Sequence, residues 1–427
     1  MTYEAPRRVL LLQGPASRFP SYLGQALSIS GAEVHRILLC PGDWLFWRGR
    51  PGTVHFRGRV EEWPDFVDAY ARRHAVTDLA CLGDGRQWHR DAIDRLRPRG
   101  VRIHLMEQGY LRPGWLTLEP DGTGGTSTFP RNWRDISALA SEACDGPDPT
   151  GSGSFTNYAA MDVAFNLANL LIGRISHPHY RTHALDGSVR EWSGWIGKAL
   201  GWPARRHRVA QALTRVRDHV GPVFVFALQL ETDFQIRLHG PAEGLRGALC
   251  RAIGNFAEHA PEDALLVVKS HPLDNGWAGW RRIVRTASDK AGVAERVLLL
   301  EGGSFELLLE HLAGVVTVNS TAGLSALRRG VPVVALGTAI YDLEGLTHSG
   351  TLSTFWHDPS VPDAGRVALL VGALKNAIQI RGSFDGPGAR PGAEAMASRI
   401  LSDQSAFSRI AATAPSDCRE TASSAVI

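Results

Sequence analysis

The stretch DALLVVKSHP at residues 263–272 is an apolar run that stops on a cation, a hydroxyl, an imidazole and a proline. An unbroken run of this length suits a strand buried on both faces, the kind found in parallel α/β sheets. In such sheets ligands bind beyond the carboxyl ends of the strands, so Lys269, Ser270, His271 and Pro272 stand where a site belongs. Similar runs flank it: GPVFVFALQ (221–229), RVLLLE (296–301), GVVTVN (314–319) and VPVVALG (331–337). Helical patterns separate them at 241–259, 277–292, 304–312 and 322–329. The N-terminal part repeats the alternation. RVLLLQG (8–14), EVHRILLC (33–40), TDLACLGD (77–84) and VRIHLME (101–107) read as strands between helical stretches around 20–30, 62–74 and 86–98. Two such series predict two mainly parallel sheets with helices on both faces.

Between the two series, CDGPDPTGSGSFT (144–156) is a turn-rich loop, and 157–219 is helical, with Trp192, Trp195, Trp202 and the basic run PARRHRVAQALTRVRDH. The expected organisation is an N-terminal Rossmann-like domain over 1–143, a helical connecting region over 144–219, a C-terminal Rossmann-like domain over 220–385, and a partly mobile tail over 386–427.

The 427 residues are 44% hydrophobic and 21% charged, enough for two cores of domain size. A net charge of +3 gives no strong overall field for nucleic acid, so any anionic ligand must meet a local patch. Five scattered cysteines without CxxC spacing read as free thiols in a reducing compartment. The short apolar run before Gln13 is no signal-peptide core, and YAAMDVAFNLANLLIG (158–173) falls short of the roughly 20 residues a membrane span needs. That segment reads as a soluble or interfacial helix.

Polar residues collect where the predicted strands end. In VNSTAGLSAL, Asn319 closes a strand, Ser320 and Thr321 are candidate helix caps, and Gly323 would permit close backbone approach, a pattern that suits a phosphate. Taken alone it reads first as a capped helix with nothing bound, because Ser and Thr caps are common. Lys269 and His271 on a neighbouring strand end tip the reading toward a phosphate, which they could neutralise and hydrogen-bond or protonate. In the N-terminal half, MEQGYLRPGWLTLE places Glu107, Gln108, Tyr110 and Arg112 together. Arg112 could grip a sugar carboxylate, and Glu107 could act as base or nucleophile. Gln13, Gly14, Asp43, Asp84, Arg86, His89, Asp233, Gln235 and Arg237 follow other strand ends and complete the candidate set. No acidic pair stands out for a metal, so neither metal nor cofactor is expected. A nucleotide phosphate on one half and an acid and arginine wall on the other is the plan of a two-domain glycosyltransferase with a nucleotide-sugar donor.

LLLQGP, GDWLFW, LGDGRQWHRDA, EQGYLRPGWLTLE, STFPR, LQLETDFQIR, VVKSHPLDNG, VNSTAGLSAL and ALGTAIYDLEGLTHSG, in that order over about residues 8–357, resemble the bacterial capsule polysaccharide biosynthesis and export family, in particular its KpsS-type β-Kdo transferases. The resemblance implies an α/β GT-B-like fold, two Rossmann-like domains with a central cleft and a helical connecting region. It implies transfer of a β-linked Kdo from CMP-Kdo to a lysophosphatidylglycerol-type lipid at the cytoplasmic face of the inner membrane, with a capsule assembly or export complex as a possible partner. It places His271, Pro272, Ser320, Thr321 and Gly323 at the CMP site; Lys269, Ser270 and Asn319 from the strand ends complete the expected donor set, and Gln13, Gly14, Asp43, Arg86, His89, Tyr110, Arg112, Gln235 and Arg237 are the candidates for sugar or acceptor. It draws the catalytic carboxylate from Glu107, Asp84 and Asp233, in a retaining, metal-independent reaction. One position departs from the pattern. Related transferases carry an acid where Gln108 stands, and a carboxamide forms no ordinary glycosyl ester. A lipid acceptor would also give Arg205, Arg206, Arg208, Arg215 and Arg217, with Trp195 and Trp202, a membrane surface to rest on. A nucleotide-sugar 2-epimerase-like isomerase and a non-catalytic CMP-binding partner of the capsule complex fit the same strand ends.

Overall fold

The computed structural model describes residues 6–47, 50–141, 149, 155–182 and 187–402. The strands are β1 (Arg8–Leu11), β2 (Glu33–Leu38), β3 (Thr53–His55), β4 (Asp78–Leu82), β5 (Arg102–Gln108), β6 (Trp115–Pro120), β7 (Val223–Ala227), β8 (Leu265–Lys269), β9 (Val297–Leu300), β10 (Gly314–Thr317), β11 (Val333–Ala335) and β12 (Gln379–Arg381). They form a seven-stranded sheet in the order β12-β6-β5-β4-β1-β2-β3 and a five-stranded sheet in the order β11-β10-β7-β8-β9. The second sheet is parallel throughout. Every residue of VFVFA in β7 and LLVVK in β8 is buried, as expected of central strands covered by helices on both faces. Two Rossmann-like sheets in one chain make the architecture GT-B-like.

The first sheet is parallel from β5 to β3 and then departs from the sequence expectation. Residues Trp115–Pro120 turn back as β6, antiparallel to β5, with Glu107 opposite Thr117 and Gln108 opposite Leu116. The last strand comes from the far end of the chain: β12 pairs antiparallel with β6, Ile380 opposite Leu116. Beyond it, helix Ala389–Leu401 packs on helix Phe19–Ile29. Ala393, Met396, Ala397 and Ile400 enter one cluster with Leu23 and Leu27, and Phe384 meets Phe19 edge to face at 4.9 Å. The expected tail is therefore partly core of the N-terminal half, because small alanines let the two helices approach closely. Residues 403–427 lie outside the described residues, as does most of the 144–156 loop.

One apolar cluster joins the halves beneath the cleft. Leu111, Trp115, Phe129, Ile136 and Leu139 share it with Val225, Val267, Leu324 and Leu370. The connecting helices divide their loyalty. Helix Phe155–Ser176 docks on the N-terminal half, where Asn169 Oδ1 accepts the Gly42 N–H at 2.8 Å, and Tyr180 beyond it stacks on Trp88. Helices Ser188–Leu200 and Trp202–Arg217 dock on the C-terminal half. Trp277 Nε1 donates to Arg190 O at 2.7 Å, and Arg208 meets Glu301 at 3.5 Å.

Candidate active site

The C-terminal wall rises from the ends of β7, β8 and β10. Gln229 donates to Asn319 Oδ1 at 2.8 Å and accepts the Asn319 backbone N–H at 3.2 Å, while the Asn319 amide donates to Gln235 O at 3.0 Å. This ladder fixes the start of helix Thr321–Leu327, which Ser320 caps through the Ala322 N–H. Next to it, His271 Nδ1 accepts the Leu273 N–H at 3.1 Å. Burial, then the charges of Arg112, Lys269 and Lys198, push the His271 imidazole down to about 4. The ring is thus neutral at pH 7 and carries its proton on Nε2, a hydrogen-bond donor rather than an acid. Lys269 is itself buried, with Nζ on Ser270 O at 3.3 Å, and burial with Lys198 nearby brings it down to about 8. It remains mostly cationic at neutrality.

The N-terminal wall is acidic. Gly83 has φ +61, and any β-carbon there would collide with Glu107 Oε1, so this glycine makes room for the carboxylate. Burial and the charge of Asp233 push Glu107 up to about 7, against the opposing pull of Arg86 and Arg112. Asp84 is committed to the hydroxyls of Thr126 at 2.7 Å and Thr123 at 3.3 Å. Asp233 is raised by burial and caps helix Phe234–His239 through the Gln235 N–H at 2.9 Å. Glu107 accepts no hydrogen bond among the described residues and is the uncommitted acid of the group. Behind it, buried Glu119 accepts from Tyr110 at 3.0 Å and from Ser127, and burial lifts it to about 7.

The walls meet across the cleft. Gly85, Gly124 and Gly125 leave space that Phe234, Gln235 and His239 of the opposite half occupy. Charges act across the same gap: Asp233 on Glu107, and Arg112 on His271. An acid poised near neutrality faces a cationic, amide-rich wall, which suits proton transfer on one side and an anionic leaving group on the other. The residues 77–385 match the family described as capsule polysaccharide biosynthesis protein.

The chain belongs to the capsule polysaccharide biosynthesis family.

Among similar members, the capsule polysaccharide modification protein LipB of Neisseria meningitidis is 31% identical over 390 residues, covering 89% of this chain and 92% of LipB. The capsule polysaccharide export protein KpsS of Escherichia coli is 29% identical over 366 residues, covering 84% of this chain and 91% of KpsS. Among solved structures, the β-Kdo 2,7 transferase KpsC of Thermosulfurimonas dismutans aligns over 92% of this chain and 99% of its own, at 14% identity and a TM-score of 0.45.

Within this family member, several residues expected at the ligand make contacts with protein atoms. Asp43 is buried and accepts from Leu39 N at 3.0 Å and from the Gln13 amide at 3.2 Å. That orients Gln13 so its oxygen receives Arg86 at 3.2 Å, which makes Asp43 and Gln13 positioning residues for Arg86. His89 is fully buried; its Nδ1 reaches the carbonyls of Leu82 and Gly83 at 2.9 and 3.0 Å and so braces the turn under Glu107. Gly14 lies against Pro20, and Gly323 against Tyr341, so both glycines serve internal packing. The Tyr110 hydroxyl faces Glu119 and the Gly124 N–H, not the cleft. Gln108 is exposed and follows Glu107 on the strand, so its side chain leaves from the opposite face. Arg112 is exposed at the cleft, Pro272 is exposed beside His271, and Arg237 sits over the Phe234 ring. Four members of the basic run touch protein atoms, while Arg206, Arg215 and Arg217 stay exposed. Arg205 donates to Lys198 O, Arg208 pairs with Glu301, Arg215 donates to Glu295 O, and Arg217 pairs with Asp218.

Sequence reasoning passed over Gln229, Glu119 and Glu301. Gln229 ends a predicted strand and Glu119 ends a quoted motif, so the strand-end rule reached both, but nothing in the sequence told which side chain turned inward. Beside Ser270, a cavity of about 350 Å3 is lined by Lys198, Arg205, Arg208, Asp274 and Glu301. Among the described residues, no group of three His, Cys, Asp or Glu is placed to hold a metal ion.

Proposed function

We propose that this cleft transfers a β-linked Kdo residue from CMP-Kdo to a lysophosphatidylglycerol-type lipid, the step that starts the capsule linker. The observation that carries the proposal is the pairing across the cleft of an uncommitted Glu107 near neutrality with a neutral, donating His271 beside Lys269. The bond between Kdo C2 and the phosphate oxygen breaks, and CMP leaves with the electron pair. The His271 Nε2–H and the Ser320 helix start hydrogen-bond that phosphate, and Lys269 supplies positive potential from below. Arg112 holds the sugar carboxylate as a two-pronged donor. The acceptor hydroxyl bonds to C2 and gives its proton to Glu107, whose value near 7 suits a base at neutral pH. In a retaining route the Glu107 carboxylate instead displaces CMP to form a transient ester at C2. The acceptor hydroxyl then displaces that carboxylate and passes its proton to it, and the anomer of the product separates the two routes.

The test is CMP release from CMP-Kdo generated in place, with and without lysophosphatidylglycerol, followed by mass analysis of the lipid. Lipid gaining one Kdo supports the proposal. CMP-Kdo left intact while CMP binds overturns it.

A further inference from the structure

Helix Phe155–Ser176 wears its apolar residues on the outside. Its inner face meets the N-terminal half through Phe165, which lies over Gly42, and through Asn169. Its outer face carries Val163, Leu167, Leu170, Leu171 and Ile175, a stripe at helical spacing that is one-third or more exposed throughout, with Leu171 at 67% and Ile175 at 86%. From Val163 to Ile175 the stripe runs about 18 Å at 1.5 Å per residue. The next helices add exposed Ile196, Leu200 and Trp202, and Arg206 lies over the Trp202 ring at 5.4 Å.

Charge decides what such a stripe meets. Residues 155–217 hold nine Lys and Arg against three Asp and Glu, an excess of six, while the whole chain carries only +3, so the remainder is net negative. The apolar stripe therefore lies in a basic segment, with exposed Arg174 on the same helix and a tryptophan paired with an arginine two helices on. That combination fits a surface with an apolar interior, an amphipathic boundary and anionic headgroups.

We infer that the outer stripe of helix Phe155–Ser176 docks on an anionic lipid bilayer with the helix lying flat. None of the described helices is long and apolar enough to cross a membrane, and the inward Asp162, Asn166 and Asn169 keep one face of this helix on protein. The surface differs from the arginine run, four of whose five members are bound to protein atoms. It also stands next to the acceptor wall, since Tyr180, just beyond the helix, receives a hydrogen bond from Gln13, the residue that holds Arg86. The inference rests on the proposed function only in that the bilayer would be the source of the lipid acceptor.

The experiment is vesicle flotation of the full chain, with vesicles of phosphatidylcholine alone and with about one-third phosphatidylglycerol, without any sugar donor. Binding to the phosphatidylglycerol vesicles is expected, with a fall of about ten-fold in the bound fraction for Leu171→Glu/Ile175→Glu. Both side chains are exposed, so thermal stability and turnover on a water-soluble short-chain acceptor should be unchanged. Failure of the wild type to float, or equal flotation of the double variant, overturns the inference and leaves the transfer assay standing. A wild-type dimer that the double variant converts to monomer, without vesicle binding, overturns it in favour of a second copy of the chain.

Discussion

Replacing Glu107 with Gln is expected to stabilise the protein at and above neutral pH while abolishing transfer. The carboxyl rises from 4.5 to about 7 on folding, so the folded chain holds this proton more tightly than the unfolded one. Below about pH 4.5 both states are protonated and nothing is lost. Between about pH 4.5 and 7 the unfolded chain releases its proton first, and folding must place a charge in the buried cleft beside Asp233. Above pH 7 the whole cost is present, about 3 kcal/mol. Glutamine keeps the shape without the charge and recovers at most that amount. Urea unfolding of both proteins at pH 4.5 and pH 8 measures it. The variant should be more stable at pH 8 by about 1–3 kcal/mol and within about half a kcal/mol of wild type at pH 4.5. Transfer should fall by about a hundred-fold or more. Equal stability at pH 8, or a loss there, would refute the argument that Glu107 is a charge held against its surroundings.

Four further outcomes can be checked. His271→Ala should weaken CMP binding by about ten-fold in titration calorimetry, the worth of one good hydrogen bond. Gln108→Ala should leave transfer within about three-fold, because its exposed side chain leaves the strand on the face away from Glu107. Gly124→Ala puts a β-carbon into Gln235 across the cleft, so transfer should drop by about ten-fold with about 1 kcal/mol of stability lost to the positive φ. At Asp78 burial alone would raise the carboxyl, but hydrogen bonds from His104, Arg7 and Thr77 outweigh it and hold the group well below the usual range. Its stabilisation is therefore present above the unfolded value of 3.8 and is lost as acid protonates the folded group. Asp78→Asn should cost about 3 kcal/mol in urea unfolding at pH 7, and the gap should close in strong acid.

Most parallel strands were legible because β1, β7, β8, β9, β10 and β11 are apolar runs, whereas the three-residue edge strand β3 carries no such run. What failed was non-local or orientational. Trp115–Pro120 follows a Gly and Pro turn and is not among the strands expected from sequence, yet it becomes one because β5 and β12 pair with it. Gln379–Arg381 spans three residues after a helix and carries no pattern of its own. Residues 389–401 looked like a tail because alanine-rich helices bury small side chains and show weak contrast between faces. Orientation was the second blind spot. Asp43, His89 and Gly323 sit in the right loops, but whether a polar residue faces ligand or scaffold depends on neighbours such as Gln13, Leu82 and Tyr341, which arrive from elsewhere in the chain.

The strand β12 also sets a timetable. Its partner β6 ends at Pro120, and β12 begins at Gln379, so about 260 residues must be made before the first sheet is closed. At ribosomal speed that interval lasts on the order of tens of seconds. Throughout it β6 presents an unpaired edge, with Leu116 and Leu118 alternating along it, to whatever chain is near. Helix Phe19–Ile29 waits equally long for Ala389–Leu401. A nascent chain of this protein is thus longest exposed at the sheet edge that Gln379–Arg381 covers, and a truncation before residue 379 would leave that edge open for good.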